Sequence, residues 1–299
     1  MWYAIIIVGG LIVLIVGASV LATRRSAKYR NARGGMLKQQ SAELLQKGDY
    51  RGALRKDLKA LSIFEKTGYD RARVATHIAV ARISLALDEL PQAVAHLETA
   101  YRDSRKPEYE QFHIESAELL GDCAMQQRNP QAAADYYKES ADLEEEETSD
   151  DRFPSQRVPL PGGGQVITGR PLLEVVMRRV YALLGRANVA RAHIAAGDFG
   201  QARNILQGVV TSLEAVKDPQ EPQAGVGLHA AYLFQIMAGG GLPLENVSKF
   251  MDDVRRASRM ALAELDRREE GSDAVERACR VLLSYRPMIA QALRRFKFG

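Results

Sequence analysis

The stretches that decide the fold are GDYRGA at residues 48–53 and GDFGQA at residues 197–202. In each stretch the glycine suits a sharp turn, and the aspartate suits the N-cap of a helix that follows. The small alanine that ends each stretch allows two helices to approach closely. Each stretch therefore predicts a tight turn between two antiparallel helices.

Two further stretches occupy the same place between helical patterns, ELPQA at residues 89–93 and RNPQAA at residues 128–133. The turn alanines Ala53, Ala93 and Ala133 recur 40 residues apart, whereas Ala202 follows 69 residues after Ala133. The first three helix pairs are thus regularly spaced, and an insertion separates the third pair from the fourth.

The turn pattern resembles the tetratricopeptide repeat (TPR) family. Leu120 and Gly121 match the family's Leu-Gly pair in the first helix, and small residues stand at the corresponding place in the other first helices: Ser41, Ala81 and Ala190. The resemblance implies an all-α fold in which helical hairpins stack into a right-handed solenoid. A period of 40 exceeds the roughly 34 residues of the common repeat, so armadillo or HEAT-type pairs remain an alternative.

Composition agrees with an all-α chain and excludes several functions. Of the 299 residues, 46% are apolar and only 7% are aromatic. The net charge of +4 arises from 41 basic and 37 acidic residues, which are interspersed along the chain. No nucleic-acid partner or small-molecule substrate is indicated, and no catalytic or nucleotide-binding motif is present. The cysteines, Cys123 and Cys279, lie far apart and do not suggest a metal site. We expect neither an enzyme nor a cofactor, and we interpret Cys123 as a buried packing residue.

The amino terminus predicts a transmembrane anchor. Residues 1–23 contain no charged side chain, and about 20 apolar helical residues cross the roughly 30 Å hydrocarbon layer. Basic residues follow at once: Arg24, Arg25, Lys28, Arg30 and Arg33. This bias predicts that the N-terminus lies outside and the bulk of the chain in the cytoplasm. A cleavable signal peptide ending near Ala22 and a buried core helix are the alternatives.

The whole chain is predicted to divide into a transmembrane anchor (1–23), a basic juxtamembrane linker ending in the flexible pair Gly34-Gly35 (24–36), TPR-like repeats 1–3 (37–143), an acidic and Pro/Gly-rich insertion (144–171), degenerate repeats 4 and 5 (172–268), and a C-terminal capping helix with a basic tail (269–299). The linker residues also suit contact with anionic headgroups. Within the insertion, Val158–Ile167 form either a hairpin or a loop. The fifth pair comprises Ala224–Met237 and Leu244–Arg268, and Pro287 is expected to kink the capping helix.

Solenoids need a terminal element with a polar outer face. The capping helix has basic residues suited to that role: Arg280, Arg286, Arg294, Arg295 and Lys297.

In the TPR family the first helices of successive repeats line a concave groove. The resemblance places the following residues there: Lys38, Gln39, Arg82, Glu115, Glu118, Asp122, Asn188 and Arg191. The groove is then mixed in sign, and the third repeat contributes three acids on one helix face. We therefore expect a basic or helical protein partner rather than an acidic tail, and we expect Glu118 and Asp122 to be exposed charges of little importance to folding.

In its architecture and in the Arg-Arg-Ser sequence that follows the apolar segment, this chain is similar to bacterial inner-membrane TPR proteins that act in assembly through partner proteins. Those proteins have a zinc module of paired C-x-x-C motifs, which this sequence does not contain. We expect a membrane-anchored interaction scaffold or assembly factor on the cytoplasmic face, with membrane-associated protein partners. The alternative is a translocated, extracytoplasmic repeat protein acting as a chaperone or envelope-complex subunit.

Overall fold

The computed structural model describes residues 26–147, 156–159, 165–168, 172–215, 244–265 and 272–296. These residues are helical except for turns, one short 3-10 segment and a small two-stranded sheet. The chain forms two compact units, Met1–Ser116 and Ala117–Gly299, and the division falls within a helix.

In its described part, from residue 26 onward, the first unit contains four helices and the beginning of a fifth. Helix α1 spans residues 26–46. It is followed by α2 (Tyr50–Thr67), α3 (Asp70–Ala86), α4 (Leu90–Asp103) and α5 (Glu110–Gln126), the last of which contributes its residues up to Ser116 to this unit. Helix α2 packs on α3, and α3 packs on α4.

The second unit continues from Ala117. Its elements after α5 are α6 (Pro130–Glu147), β1 (Gln156–Pro159), β2 (Gln165–Thr168), α7 (Leu172–Ala195), α8 (Phe199–Glu214), α9 (Leu244–Leu265) and α10 (Ser272–Phe296). Helix α7 packs against α6, α8 and α10, and α9 packs against α8 and α10.

All four predicted turns are confirmed, and they share one backbone geometry. A residue with positive φ ends the first helix of each pair: Gly48 (77°), Asp88 (62°), Arg128 (58°) and Gly197 (80°). The next residue then donates its N–H to a carbonyl five residues back, as Asp49 does to Leu44 at 2.9 Å and Asp198 does to His193 at 2.9 Å. This is the Schellman pattern, and it closes the last turn of the helix. Glycine occupies only two of the four positions, so the turn tolerates other residues at the cost of left-handed strain.

The second helix of each pair has a buried alanine in its first turn, and three of the four second helices also begin with a side-chain cap. Asp49 Oδ1 accepts from Gly52 N at 2.7 Å, and Asn129 and Asp198 cap α6 and α8 in the same way at 3.2 and 3.1 Å. The turn alanines are completely buried, as expected for close helix approach: Ala53, Ala93, Ala133 and Ala202. The local sequence thus specifies each hairpin.

The larger hydrophobic core of the second unit joins four helices. Leu184 of α7, Leu206 of α8, Ala261 of α9 and Leu282 of α10 are all buried within it. Helix α10 runs through Pro287 as a single helix, with Ile289 beyond the proline completely buried. The C-terminal helix is therefore part of the core and not only a polar cover.

The described part of the predicted linker is helical and not a flexible connection. Residues 26–36 belong to α1, and the pair Gly34-Gly35 lies inside that helix rather than forming a flexible joint. A Cβ placed on Gly34 would lie 2.5 Å from Cε1 of Phe64, so glycine is required there by the approach of α2. Arg24 and Arg25 lie outside the described residues.

The insertion begins later than predicted, since residues 144–147 belong to α6. Strands β1 and β2 pair antiparallel, with Gln156 opposite Thr168 and Pro159 opposite Gln165. Of the two possibilities for Val158–Ile167, strand pairing is observed, and the fold class is all-α with this small sheet added.

The predicted anchor, residues 1–23, and the predicted helix Ala224–Met237 lie outside the described residues. Among the helices that the structure does describe, none is long and apolar enough to cross a membrane.

Candidate functional site

A groove of about 540 Å³ opens in the first unit, where the first helices of successive pairs lie side by side. It is lined by Leu45 of α1, Tyr50 at the start of α2, one face of α3, and Phe112 and Glu115 of α5. The α3 face consists of Ala75, Ile78, Ala79, Arg82 and Ile83.

The floor of the groove follows from the sequence of α3. Ala75, Ile78, Ala79 and Arg82 are spaced by three or four residues, which places them on one side of a helix. Arg71 precedes Ala75 by four residues and continues this face. The guanidinium of Arg71 lies over the Phe112 ring, 6.0 Å from its centroid. Small side chains at the centre and long ones at the ends leave a hollow with polar borders.

The charged side chains at the groove are Arg71, Arg82 and Glu115. Arg82 Nη2 lies 3.0 Å from Glu115 Oε1, and the two side chains are 58% and 33% exposed. An exposed pair of this kind contributes little to stability, so either partner can exchange it for another contact. Within the part of the chain that the structure describes, Arg71 forms no ion pair and is exposed. The groove is therefore more basic than acidic.

The two predicted groove residues of α1 lie elsewhere. Lys38 Nζ donates to Asp57 Oδ2 at 2.8 Å, and the Asp57 side chain is only 1% exposed. Lys38 therefore compensates a buried carboxylate, which is a structural role. Gln39 is exposed and does not line the groove.

Glu118 is paired with an arginine inside the second unit and is not the exposed acid that the sequence predicts. Arg286 of α10 donates from Nη1 to Glu118, and its Nη2 lies 3.4 Å from Glu144 Oε1. The Arg286 side chain is only 8% exposed, and its guanidinium stacks over the Tyr181 ring at 4.2 Å from the centroid. Arg286 is therefore a buried partner of two acids and not a residue of the polar outer face.

Asp122 is also engaged inside the second unit. It accepts from the Tyr137 hydroxyl at 2.6 Å and from Arg191 Nη2 at 2.8 Å. Arg191 also donates to the Tyr137 hydroxyl, and burial together with Asp122 raises the pKa of Tyr137. Asn188, on the same helix as Arg191, is buried. Glu118 and Asp122 of the predicted acidic stripe are therefore engaged inside the second unit, whereas Glu115 lies at the groove in an exposed pair with Arg82.

The other residues weighed for chemistry have structural surroundings. Cys123 is confirmed as a buried packing residue, and burial raises its pKa to about 11 and that of Cys279 to about 12. His77 Nδ1 and His96 Nδ1 lie 2.9 Å apart between α3 and α4. Among the described residues, no group of three or more His, Cys, Asp or Glu is placed to hold a metal ion.

Sequence reasoning found Arg82 and Glu115 at the groove but missed the other residues there, and it missed one residue in the core. Tyr50, Arg71 and Phe112 border the groove, and Arg286 pairs with acids of α5 and α6. The spacing of Arg71, Ala75, Ile78 and Arg82 was a usable signal for the groove face. For Arg286 the local sequence contained no signal, since its partners lie more than 140 residues away.

No family model and no curated protein matches this chain. The solved structures that resemble it include two of a putative kinesin light chain of Podosopora anserina with nearly identical TPR-like repeats. The first, a point variant of that protein, has a TM-score of 0.49 and 16% identity, covering 89% of this chain and 98% of that chain. The second has a TM-score of 0.45 and 17% identity, covering 79% of this chain and 98% of that chain. Neither likeness assigns this chain to a family.

Proposed function

We propose that this chain is a membrane-anchored, TPR-type scaffold or assembly factor that holds protein partners in the groove of its first unit. The observation that supports this most directly is the groove itself, a hollow of about 540 Å³ with an apolar floor of Ala75, Ile78 and Ala79. Grooves of this kind accept one apolar face of a partner helix.

The borders of the groove indicate the partner's chemistry. Arg71 and Arg82 stand eleven residues apart on one face of α3, about 16 Å at the helical rise. Only Arg82 has a carboxylate partner among the described residues, Glu115. We therefore replace the expectation of a basic partner: the occupant is a helical segment with apolar side chains over the floor and an acidic side chain at Arg71.

The anchor is residues 1–23, which are uncharged and largely apolar, and the basic residues from Arg24 to Arg33 keep the following chain on the cytoplasmic face. The proposed location is a bacterial inner membrane with the N-terminus outside. A protein held at the membrane in this way is suited to gathering partners that are themselves membrane-associated.

Site-specific photo-crosslinking in intact cells tests the groove. A photoreactive residue at Ala75 should yield discrete protein adducts, and Ala79→Trp, which fills the floor, should abolish them. Lys59→Trp, on an exposed position of α2, is the matched control and should leave them unchanged. Identical adducts in all three proteins would contradict partner binding in this groove, provided that thermal unfolding shows each variant to be folded.

A fusion test addresses the side of the membrane. A reporter that is active only in the cytoplasm, placed after Gly299, should be active, because the basic flank favours retention of the following chain. Activity of an exported reporter instead would support the extracytoplasmic alternative.

A further inference from the structure

The first three turns of α1 have two opposite faces. Asn31 and Gly34 belong to the face packed on α2: Asn31 Oδ1 accepts from the Thr67 hydroxyl at 2.5 Å, and Gly34 is buried against Phe64. Tyr29, Arg33 and Met36 are spaced by four and three residues, which places them on one face directly opposite. No described residue covers that face, since all three side chains are exposed.

This outer face combines apolar and basic groups. Tyr29 is 75% exposed and Met36 is 62% exposed, the two highest values among the large hydrophobic side chains that the structure describes. Lys28 and Arg30 flank Tyr29 and are exposed as well. Residues 24–36 include five basic residues and no acidic one. An exposed aromatic and a methionine among unopposed cations match a negatively charged surface with an apolar interior.

We propose that residues 26–36 of α1 lie along the surface of an anionic lipid bilayer, with Tyr29 and Met36 inserted among the headgroups and Lys28, Arg30 and Arg33 on lipid phosphates. Tyrosine favours this interface because its ring is apolar and its hydroxyl is polar. Basic side chains next to a membrane anchor are attracted to the negative charge of anionic lipid headgroups. The inference rests on the proposed anchoring by residues 1–23.

The proposed lipid contact requires α1 to lie flat on the bilayer surface rather than to stand upright. Arg33 follows Thr23 by ten residues, about 15 Å along an upright helix. The headgroup layer on each side of the hydrocarbon is only about 5–8 Å thick. Arg33 and Met36 therefore reach the headgroups only if α1 turns to lie along the surface, which places its packed face and the first unit toward the water.

The test uses the full chain reconstituted alone in vesicles, with a nitroxide label at Met36→Cys. The buried Cys123 and Cys279 remain unlabelled in the folded protein. In phosphatidylcholine mixed with phosphatidylglycerol, the label should be several-fold less accessible to a water-soluble nickel reagent than a label at Glu98→Cys, an exposed position of α4. High salt, or the added changes Lys28→Glu and Arg33→Glu, should remove this protection.

Three outcomes would overturn the inference. In the first, the Met36 label is as accessible as the Glu98 label both in the lipid mixture and in phosphatidylcholine alone. In the second, the Met36 label is protected equally in the mixture and in phosphatidylcholine alone. In the third, its protection depends on protein density in the vesicles, which would assign the face to a second copy of the chain. Flotation of the chain with alkali-washed vesicles is measured in parallel. A chain that does not float contradicts the anchor, whereas a floating chain with an accessible Met36 contradicts only the surface contact.

Discussion

Arg286 of α10 donates a hydrogen bond to Glu118 of α5, 168 residues earlier in the chain. The arginine passes over α7 at Gly185, where a Cβ would lie 3.1 Å from Glu144 Oε2 and 3.3 Å from Arg286 Nη2. The basic group suited to this acidic site is thus provided by the protein's own C-terminal helix. This explains why Glu118 is not available to a partner.

Replacing Arg286 should destabilise the fold strongly. Arg286→Met removes the buried cation that contacts Glu118 and Glu144, and loss of one member of a buried ion pair typically costs about 3–5 kcal/mol. Urea unfolding followed by circular dichroism measures the change. Arg280→Met is the control, because Arg280 is 74% exposed and, among the described residues, its ion pair is with Glu276 on its own helix. This change should alter the free energy of unfolding by less than about 0.5 kcal/mol. Equal effects of the two changes would contradict the buried site.

The turn geometry predicts opposite effects of two glycine changes. Arg128 has a φ of 58°, so Arg128→Gly should relieve left-handed strain and raise the free energy of unfolding by up to about 1 kcal/mol. Gly48, at the equivalent place with a φ of 77°, should lose about 1–2 kcal/mol on change to alanine. Denaturant midpoints report both effects. A destabilising Arg128→Gly would mean that the side chain has a role that outweighs the strain.

Adjacent glycines in α1 provide a test of its packing. Gly34→Ala forces a Cβ against the Phe64 ring and should destabilise by about 1–3 kcal/mol, as overpacking generally does. At Gly35 no atom lies within 4 Å of an added Cβ, so Gly35→Ala should stabilise the helix by about 0.5–1 kcal/mol. Thermal unfolding of the two variants side by side is sufficient. Stabilisation by both alanines would show that α1 does not pack on α2 at this point.

The histidine pair predicts loss of stability in acid. Burial lowers the pKa of His77 from 6.5 to about 4, with His96 as the next cause, and burial lowers the pKa of His96 as well. Histidines of the unfolded chain take up protons below about pH 6.5, whereas His77 in the folded protein stays neutral until about pH 4. Unfolding should therefore become easier as the pH falls through this range.

Melting temperatures from pH 7.5 to 4.5 measure that effect. The double change His77→Leu and His96→Leu should flatten the dependence. Parallel curves for the parental protein and the double variant would exclude the pair as a source of the acid sensitivity.

Fold and function should separate at Arg71. Arg71→Glu reverses a charge at the groove border on an exposed side chain, so the free energy of unfolding should change by less than about 0.5 kcal/mol. Adducts of the Ala75 crosslinker should decrease markedly, because the partner's acidic side chain would meet a like charge. Arg51→Glu, an exposed position of α2, is the control and should keep the adducts. Stronger crosslinking by Arg71→Glu would indicate a basic partner after all.

Sequence by itself determined the local units of this protein. The turns at Gly48, Asp88, Arg128 and Gly197 follow from interactions between residues a few positions apart, and so do the caps at Asp49, Asn129 and Asp198. Such interactions depend on residue type and spacing, which is why even the two turns without glycine were placed correctly. The insertion was located for the same reason, since it interrupts a regular period.

Only the tertiary structure decided which polar residues are structural and which are open to a partner. Glu118, Asp122 and Lys38 share the spacing of exposed groove residues, yet Arg286, Arg191 and the buried Asp57 engage them. Charge pairing between helices depends on which faces meet across long stretches of chain, and the helical period of one segment does not contain that information. The groove at Arg71 and Phe112 became visible for the converse reason: packing left it uncovered.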